Sequence, residues 1–121
     1  MAKRILIVDD DEMVLIALEE LLKPEGYEVH TVARAREALK ILEQDGFDLL
    51  ILDIIMPEMS GFELCRKIRE MERYGQTPIV FLTAKSREED RAQGLEAGAS
   101  LFLSKPISPD KLLEIVSDAV Q

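Results

Sequence analysis

Three unbroken apolar runs punctuate the chain: Ile5-Leu6-Ile7-Val8, Leu49-Leu50-Ile51-Leu52 and Ile79-Val80-Phe81-Leu82. Short runs of this kind predict strands covered on both faces, because alternation disappears when neither face meets water. Between them apolar positions recur every three or four residues, the period of a helix with one buried stripe. Met13–Leu22 places Val14, Leu18, Leu21 and Leu22 on one side, and Lys23-Pro24-Glu25-Gly26 stops that helix. Ala35–Asp45 does the same with Ala35, Ala38, Leu39 and Leu42, and Gly46 is expected to follow it as the C′ residue. Phe62–Met71 turns Cys65, Ile68 and Met71 inward. Ser108-Pro109 opens a final helix with Leu112, Ile115, Val116 and Ala119 inward.

Two further strands are weaker. Tyr27–Val32 alternates, which suits a strand near an edge, and Leu101-Phe102-Leu103 is short. The helix expected after Thr83, capped by Ser86 and ended by Gly98, has little apolar content beyond Ala92, Leu95 and Ala97 and contains Gly94. It is expected to be the least firmly packed element. Its acidic start, Glu88-Glu89-Asp90, reads as a solvated face. Strand and helix alternating five times predict a parallel sheet with helices on both faces. Neither a linker nor a repeat interrupts the pattern, so residues 1–121 are expected to form one α/β domain.

Composition narrows the functions such a domain can have. With 24 acidic against 15 basic residues, a net charge of -9 and a pI near 4.6, it lacks the cationic surface that duplex binding needs. No apolar run approaches the roughly 18–20 residues of a membrane span, and the apolar stretch behind Met1-Ala2-Lys3-Arg4 is too short for a signal peptide. A cytoplasmic protein that binds neither membrane nor nucleic acid is the expectation. The single cysteine, Cys65, leaves no intramolecular disulfide and no cysteine-based zinc cluster.

Ligands of open parallel sheets bind beyond the carboxyl ends of the strands. Asp9, Asp10 and Asp11 follow the first strand, Asp53 the third, Thr83 ends the fourth, and Ser104 and Lys105 end the fifth. Each has an ordinary explanation alone: aspartates cap helix N-termini and favour turns, and a lysine is usually a solvated charge. Together they bring carboxylates, a hydroxyl and an ammonium to one edge. Crowded carboxylates suit a hard divalent cation such as Mg²⁺, which takes one or two carboxylates and phosphate oxygens. With lysine and threonine opposite, this is a chemistry for phosphoryl transfer to Asp53.

The residues that carry this reading, Ile5 to Asp11, Asp53 to Leu64, Phe81-Leu82-Thr83-Ala84 and Phe102 to Pro106, resemble the receiver domain of two-component response regulators over essentially the whole chain. The resemblance implies a flavodoxin-like, doubly wound five-stranded sheet of order 2-1-3-4-5 with five helices. It implies that Asp53 accepts a phosphoryl group from a sensor histidine kinase or histidine phosphotransfer protein. Asp10, Asp53 and the backbone carbonyl of Ile55 would ligate Mg²⁺, with Asp9 acting through water. Thr83 and Lys105 would contact the phosphoryl group, Lys105–Pro106 would be cis, and Phe102 would be the switch aromatic that turns inward as Thr83 moves. The face built by the fourth helix, fifth strand and last helix would then shift toward a downstream effector. The domain would act as a monomer or a phosphorylation-dependent dimer and would be a switch, catalysing only its own phosphotransfer and dephosphorylation.

Ile107 departs from a frequent phenylalanine, and Phe102 from a more frequent tyrosine. In the family that the chain resembles, the positions of Ile55 and Lys85 tune hydrolysis of the aspartyl phosphate, and their bulk and charge are expected to lengthen the phosphorylated lifetime. Haloacid-dehalogenase-like phosphatases share an Asp-x-Asp motif that Asp9 to Asp11 satisfy, but need later acidic residues and usually a cap insertion. A receiver-like module that never takes phosphate is the third class, opposed by the intact Asp9, Asp10, Asp53, Thr83 and Lys105. No glycine-rich phosphate loop follows the first strand. His30 lies away from the strand ends, and Cys65 reads as a small core residue.

Overall fold

The computed structural model describes residues 2–121. The apolar runs form β1 (Arg4–Val8), β3 (Leu49–Leu52) and β4 (Ile79–Thr83), flanked by β2 (Glu28–Val32) and β5 (Leu101–Ser104). All pairings are parallel, in the order β2-β1-β3-β4-β5. The helices are α1 (Glu12–Leu22), α2 (Ala35–Gln44), α3 (Gly61–Glu70), α4 (Glu88–Glu96) and α5 (Pro109–Ala119). The chain runs outward from β1 to β2 and then returns past β1 to β3, so strand order reverses between β1 and β3. That crevice is where such a sheet accepts a ligand.

Every residue of β3 and β4 is buried, as the unbroken apolar runs require. Leu6, Val8, Leu50, Leu52 and Phe81 face one layer with Ala38, Leu42, Leu64 and Ile68 of α2 and α3. Ile5, Ile7, Leu49, Ile51, Val80 and Leu82 face the other with Leu15, Leu18, Leu22, Leu112 and Val116 of α1 and α5. On the edge strand β2, Val29 enters the second layer and Val32 the first, so the strand gives one buried side chain to each.

Several local expectations change. Gly46 does stand at C′, directly after the C-cap Asp45, but without the usual left-handed backbone: α2 ends on an extended Asp45, whose N–H bonds to Ile41 O. The buried Tyr74 hydroxyl donates to the Leu42 and Asp45 carbonyls, so the helix end is satisfied from outside and needs no left-handed cap. Gly26 (φ 94°) and Gly98 (φ 114°) do adopt that conformation. Met71 lies just beyond α3. The N-cap of α4 is Arg87 rather than Ser86, because the Asp90 carboxylate reaches back to the Arg87 N–H at 3.1 Å.

The inward side of α4 also differs from its apolar residues. Ala92 and Leu95 are exposed, whereas Asp90, Gly94 and Ala97 are buried. Their spacing of four and three residues makes one stripe. The helix lies so close that a Cβ on Gly94 would stand 2.9 Å from Phe102 Cδ2 and 3.1 Å from Phe81 Cδ2. The helix thus presents no large apolar side chain to the sheet: Asp90 and Gly94 are its buried residues, with Ala97 just past its end.

Candidate functional site

Hydrogen bonds that extend the strand ladders hold the polar ends in place. The Asp9 N–H donates to Val32 O (3.2 Å), Asp53 N–H to Val8 O (3.0 Å) and Lys105 N–H to Thr83 O (2.8 Å). Each site residue is thus pinned to the end of a neighbouring strand, so parallel register alone brings residues 9, 53, 83 and 105 to one edge. The Lys105–Pro106 bond is cis.

The ammonium of Lys105 lies 2.7 Å from Asp9 Oδ2 and 3.4 Å from Asp53 Oδ2, bridging the carboxylates that follow β1 and β3. The other Asp9 oxygen accepts the Asp11 N–H at 2.9 Å, and Asp53 Oδ1 accepts the Ile54 N–H at 2.7 Å. Asp11 faces away from the cluster as the α1 N-cap, its carboxylate accepting the Met13 N–H at 2.9 Å. The acidic triplet therefore serves both ordinary capping and the site.

Burial sets the electrostatics. Asp9, only 3% exposed, has its carboxyl pushed up by desolvation, with the Asp53 charge adding to this and the bonds from Lys105 and the Asp11 N–H opposing it. For Lys105, desolvation favours the neutral amine, but the hydrogen bond to Asp9 and the Asp53 and Asp9 charges outweigh it and hold the group above its ordinary value. One oxygen each from Asp9, Asp10 and Asp53 lies within 4.8 Å of the others. Two of these carboxylates have a single ammonium between them and Asp10 is exposed, so the donor set of hard, anionic oxygens suits a divalent cation such as Mg²⁺.

A tight loop completes the floor. Glu58 has φ 71°, and the Met59 N–H bonds to Pro57 O at 2.8 Å, making a γ-turn. The loop closes on Gly61, whose N–H donates to Ile54 O at 2.7 Å. A Cβ there would lie 2.0 Å from the Asp53 carbonyl oxygen, so only glycine permits the approach. Ser60 caps α3, its hydroxyl accepting the Glu63 N–H at 3.2 Å.

Thr83 is buried at the end of β4, and its Oγ1 accepts the Lys85 N–H at 3.1 Å. Ile55 is 64% exposed beside the site. Phe102 points inward, its ring 6.0 Å from that of Phe81. His30 sits elsewhere, its Nε2 2.9 Å from Glu28 Oε2 and 3.2 Å from Arg4 Nη2. Cys65 is fully buried, with Sγ 3.5 Å from Ala97 O.

Asp90 is the residue the sequence pattern misassigns. It is 4% exposed rather than solvated, and its Oδ1 lies 3.5 Å from Lys85 Nζ. The signal that locates it is its stripe with Gly94 and Ala97, which apolar periodicity cannot register because its members are an acid and two small residues.

Comparison with known proteins agrees with the geometry. The family model described as "Response regulator receiver domain" matches residues 5–117. The alkaline phosphatase synthesis transcriptional regulatory protein PhoP of Bacillus subtilis is 41% identical over 109 residues, 90% of this chain and 45% of that protein. The transcriptional regulatory protein GltR of Pseudomonas aeruginosa is 43% identical over 111 residues, 92% of this chain and 46% of that protein. The chain thus spans about half the length of such curated relatives. The solved chemotaxis protein CheY4 of Vibrio cholerae superposes with a TM-score of 0.93 at 35% identity, covering 98% of this chain and 99% of that one. With a family match across nearly its whole length and a shared doubly wound flavodoxin-like sheet, the chain belongs to the response regulator receiver domains.

Proposed function

We propose that residues 1–121 form one receiver domain in which Asp53 takes a phosphoryl group from a phosphohistidine of a sensor kinase or phosphotransfer protein. The observation that carries this is the Lys105 ammonium set between Asp9 and Asp53 beside a three-carboxylate cluster. An Asp53 carboxylate oxygen forms the new P–O bond while the P–N bond breaks, and the electron pair leaves with the imidazole nitrogen, which recovers a proton. Lys105 would neutralise charge on the transferring oxygens, and the Thr83 hydroxyl, buried at the end of β4, would donate to them. Asp10, Asp53 and the Ile55 carbonyl would hold Mg²⁺, with Asp9 acting through water. When bound, the ion supplies charge neutralisation for the phosphoryl oxygens.

Ile55 stands exposed at the rim, and Lys85, two residues past Thr83, is tied to it through its backbone N–H, which supports an obstructed approach for water and a long-lived aspartyl phosphate. The apolar groove beside Lys105, lined by Val14, Ala17, Leu18, Leu82, Pro106 and Ile107, supports docking of the phosphodonor protein next to Asp53. Phe102 already lies inward, so the shift of the α4–β5–α5 face would run through Thr83 and the loop after it. That face would change contacts with an effector domain or protein, or with a second copy. The domain itself would act in the cytoplasm without touching nucleic acid, leaving any such binding to another part of a longer regulator. Among the described residues no helix is long and apolar enough to cross a membrane.

Incubation with a small acyl phosphate, with and without Mg²⁺, tests the reading. Mg²⁺-dependent, acid-stable label on the wild type and none on Asp53→Asn is expected; equal labelling of the variant would refute the assignment. Label on Asp9 instead would return the hydrolase reading.

A further inference from the structure

Asp90 is a buried carboxylate outside the acid cluster, and each of its oxygens has its own partner. Oδ2 accepts the Arg87 N–H at 3.1 Å, closing the first turn of α4, and Oδ1 lies 3.5 Å from Lys85 Nζ. Lys85 is tied a second time, by its backbone N–H to Thr83 Oγ1 at 3.1 Å. The other cation in this loop, Arg87, faces the exposed Glu89 at 3.5 Å. A single residue, Lys85, therefore joins the hydroxyl at the end of β4 to the N-terminus of α4. Its side chain is 45% exposed and long, whereas that of Asp90 is 6% exposed and fixed by the helix turn. The lysine can change partners and the aspartate cannot.

We propose that Asp90 is a positioning residue for Lys85, and that their ion pair is a charge latch between the phosphoacceptor edge and α4. The proposal rests on phosphorylation of Asp53. A phosphoryl group brings up to two negative charges to a site one short loop away and competes for the Lys85 ammonium. Capture of Lys85 leaves Asp90 buried without its cation, which is unfavourable enough to drive a rearrangement. The element that must yield is the one with least to hold it: α4 packs inward through Asp90, Gly94 and Ala97 and has no large apolar anchor. A ligand contact at the sheet edge thereby biases the position of a helix, through a differential interaction with named partners in each state.

A double-mutant cycle in the whole chain tests this, with beryllofluoride and Mg²⁺ as the phosphoryl mimic and backbone amide NMR as the readout. Asp90→Asn keeps an acceptor for the Arg87 N–H and removes the charge, and Lys85→Met keeps the stem and removes the ammonium. Asp90→Asn is expected to free Lys85 and tighten beryllofluoride binding by at least about fivefold, the lower edge of ordinary coupling between sites. In the Lys85→Met background the same substitution is expected to change binding by less than about twofold, the additivity of uncoupled sites. Lys85→Met alone leaves Asp90 without its cation before the mimic binds, so α4 is already released, and it is expected to quench most of the mimic-induced amide shifts over residues 88–94 while the rest of the amide spectrum stays that of the folded chain. Equal effects of Asp90→Asn in both backgrounds, or undiminished α4 shifts in Lys85→Met, would overturn the latch and leave Asp90 as a helix cap only. A wild type that does not respond to the mimic would overturn the latch together with the acceptor role of Asp53. A wild-type response abolished by Asp53→Asn keeps the acceptor role whatever the cycle returns.

Discussion

Gly61→Ala tests how closely the β3–α3 loop is bound to the acceptor. The added Cβ would fall 2.0 Å from Asp53 O and 2.9 Å from both Asp53 C and Ile54 Cα, all backbone atoms. No rotamer relieves such a clash, so the chain itself must move by at least 1.0 Å to reach the 3.0 Å that real Cβ contacts require. That displacement breaks the 2.7 Å bond from the Gly61 N–H to Ile54 O, worth about 0.5–1.5 kcal/mol. It also disturbs the Ser60 cap of α3, worth about 1 kcal/mol, and the packing of Phe62 and Leu64 behind it. The two terms together, about 1.5–2.5 kcal/mol before any loss of packing, correspond to a fall of roughly 5–10 °C in Tm for a chain of this size. Chemical denaturation and calorimetry in EDTA measure the loss, and a Mg²⁺ titration followed by Asp53 chemical shifts measures the misplacement of the carboxylate. A variant within 1–2 °C of wild type (about 0.5 kcal/mol or less), with unchanged Mg²⁺ affinity, would refute the close-approach reasoning.

The pH dependence of stability carries a further test at Asp9. Its native carboxyl is raised, so the folded state binds the proton more tightly, and stability from this residue is lost as pH rises from its unfolded value, 3.8, through the raised native one. In EDTA, the stability of Asp9→Asn relative to wild type should therefore climb across that acidic window and then level off. A difference that stays flat from pH 4 to 7 (a window set by the carboxylate range) would contradict the burial-driven shift. Cys65 provides an independent measure of the core: burial pushes its thiol up to about 11, and it is fully enclosed. At pH near 8, where an ordinary thiol is substantially ionised, a disulfide reagent should label it only as fast as the chain unfolds. Stoichiometric labelling within seconds in native buffer would show an open α3–α4 layer.

The amino-acid sequence alone determined the sheet and the identity of its chemical edge. Unbroken apolar runs have no other comfortable place than a two-sided interior, and in a parallel sheet every strand delivers its next residue to the same side. Asp9, Asp53, Thr83 and Lys105 therefore share one edge by their positions in the sequence. What those residues do to one another was decided by tertiary structure. That Lys105 lies nearer Asp9 than Asp53, that Asp11 turns away to cap α1, and that Gly61 must be glycine all depend on separations of tenths of an ångström. Periodicity carries directions and no distances. Asp90 shows the same boundary most sharply: acidic residues at a helix start read as solvated face, and only the close seat of α4 on Phe81 and Phe102 turns one of them inward. Likewise the end of α2 looked like a glycine stop until Tyr74, 32 residues beyond Leu42, supplied the missing donor. Local composition sets what each segment can form. Which polar groups are left needing a partner, and which find one, is settled only when distant segments meet.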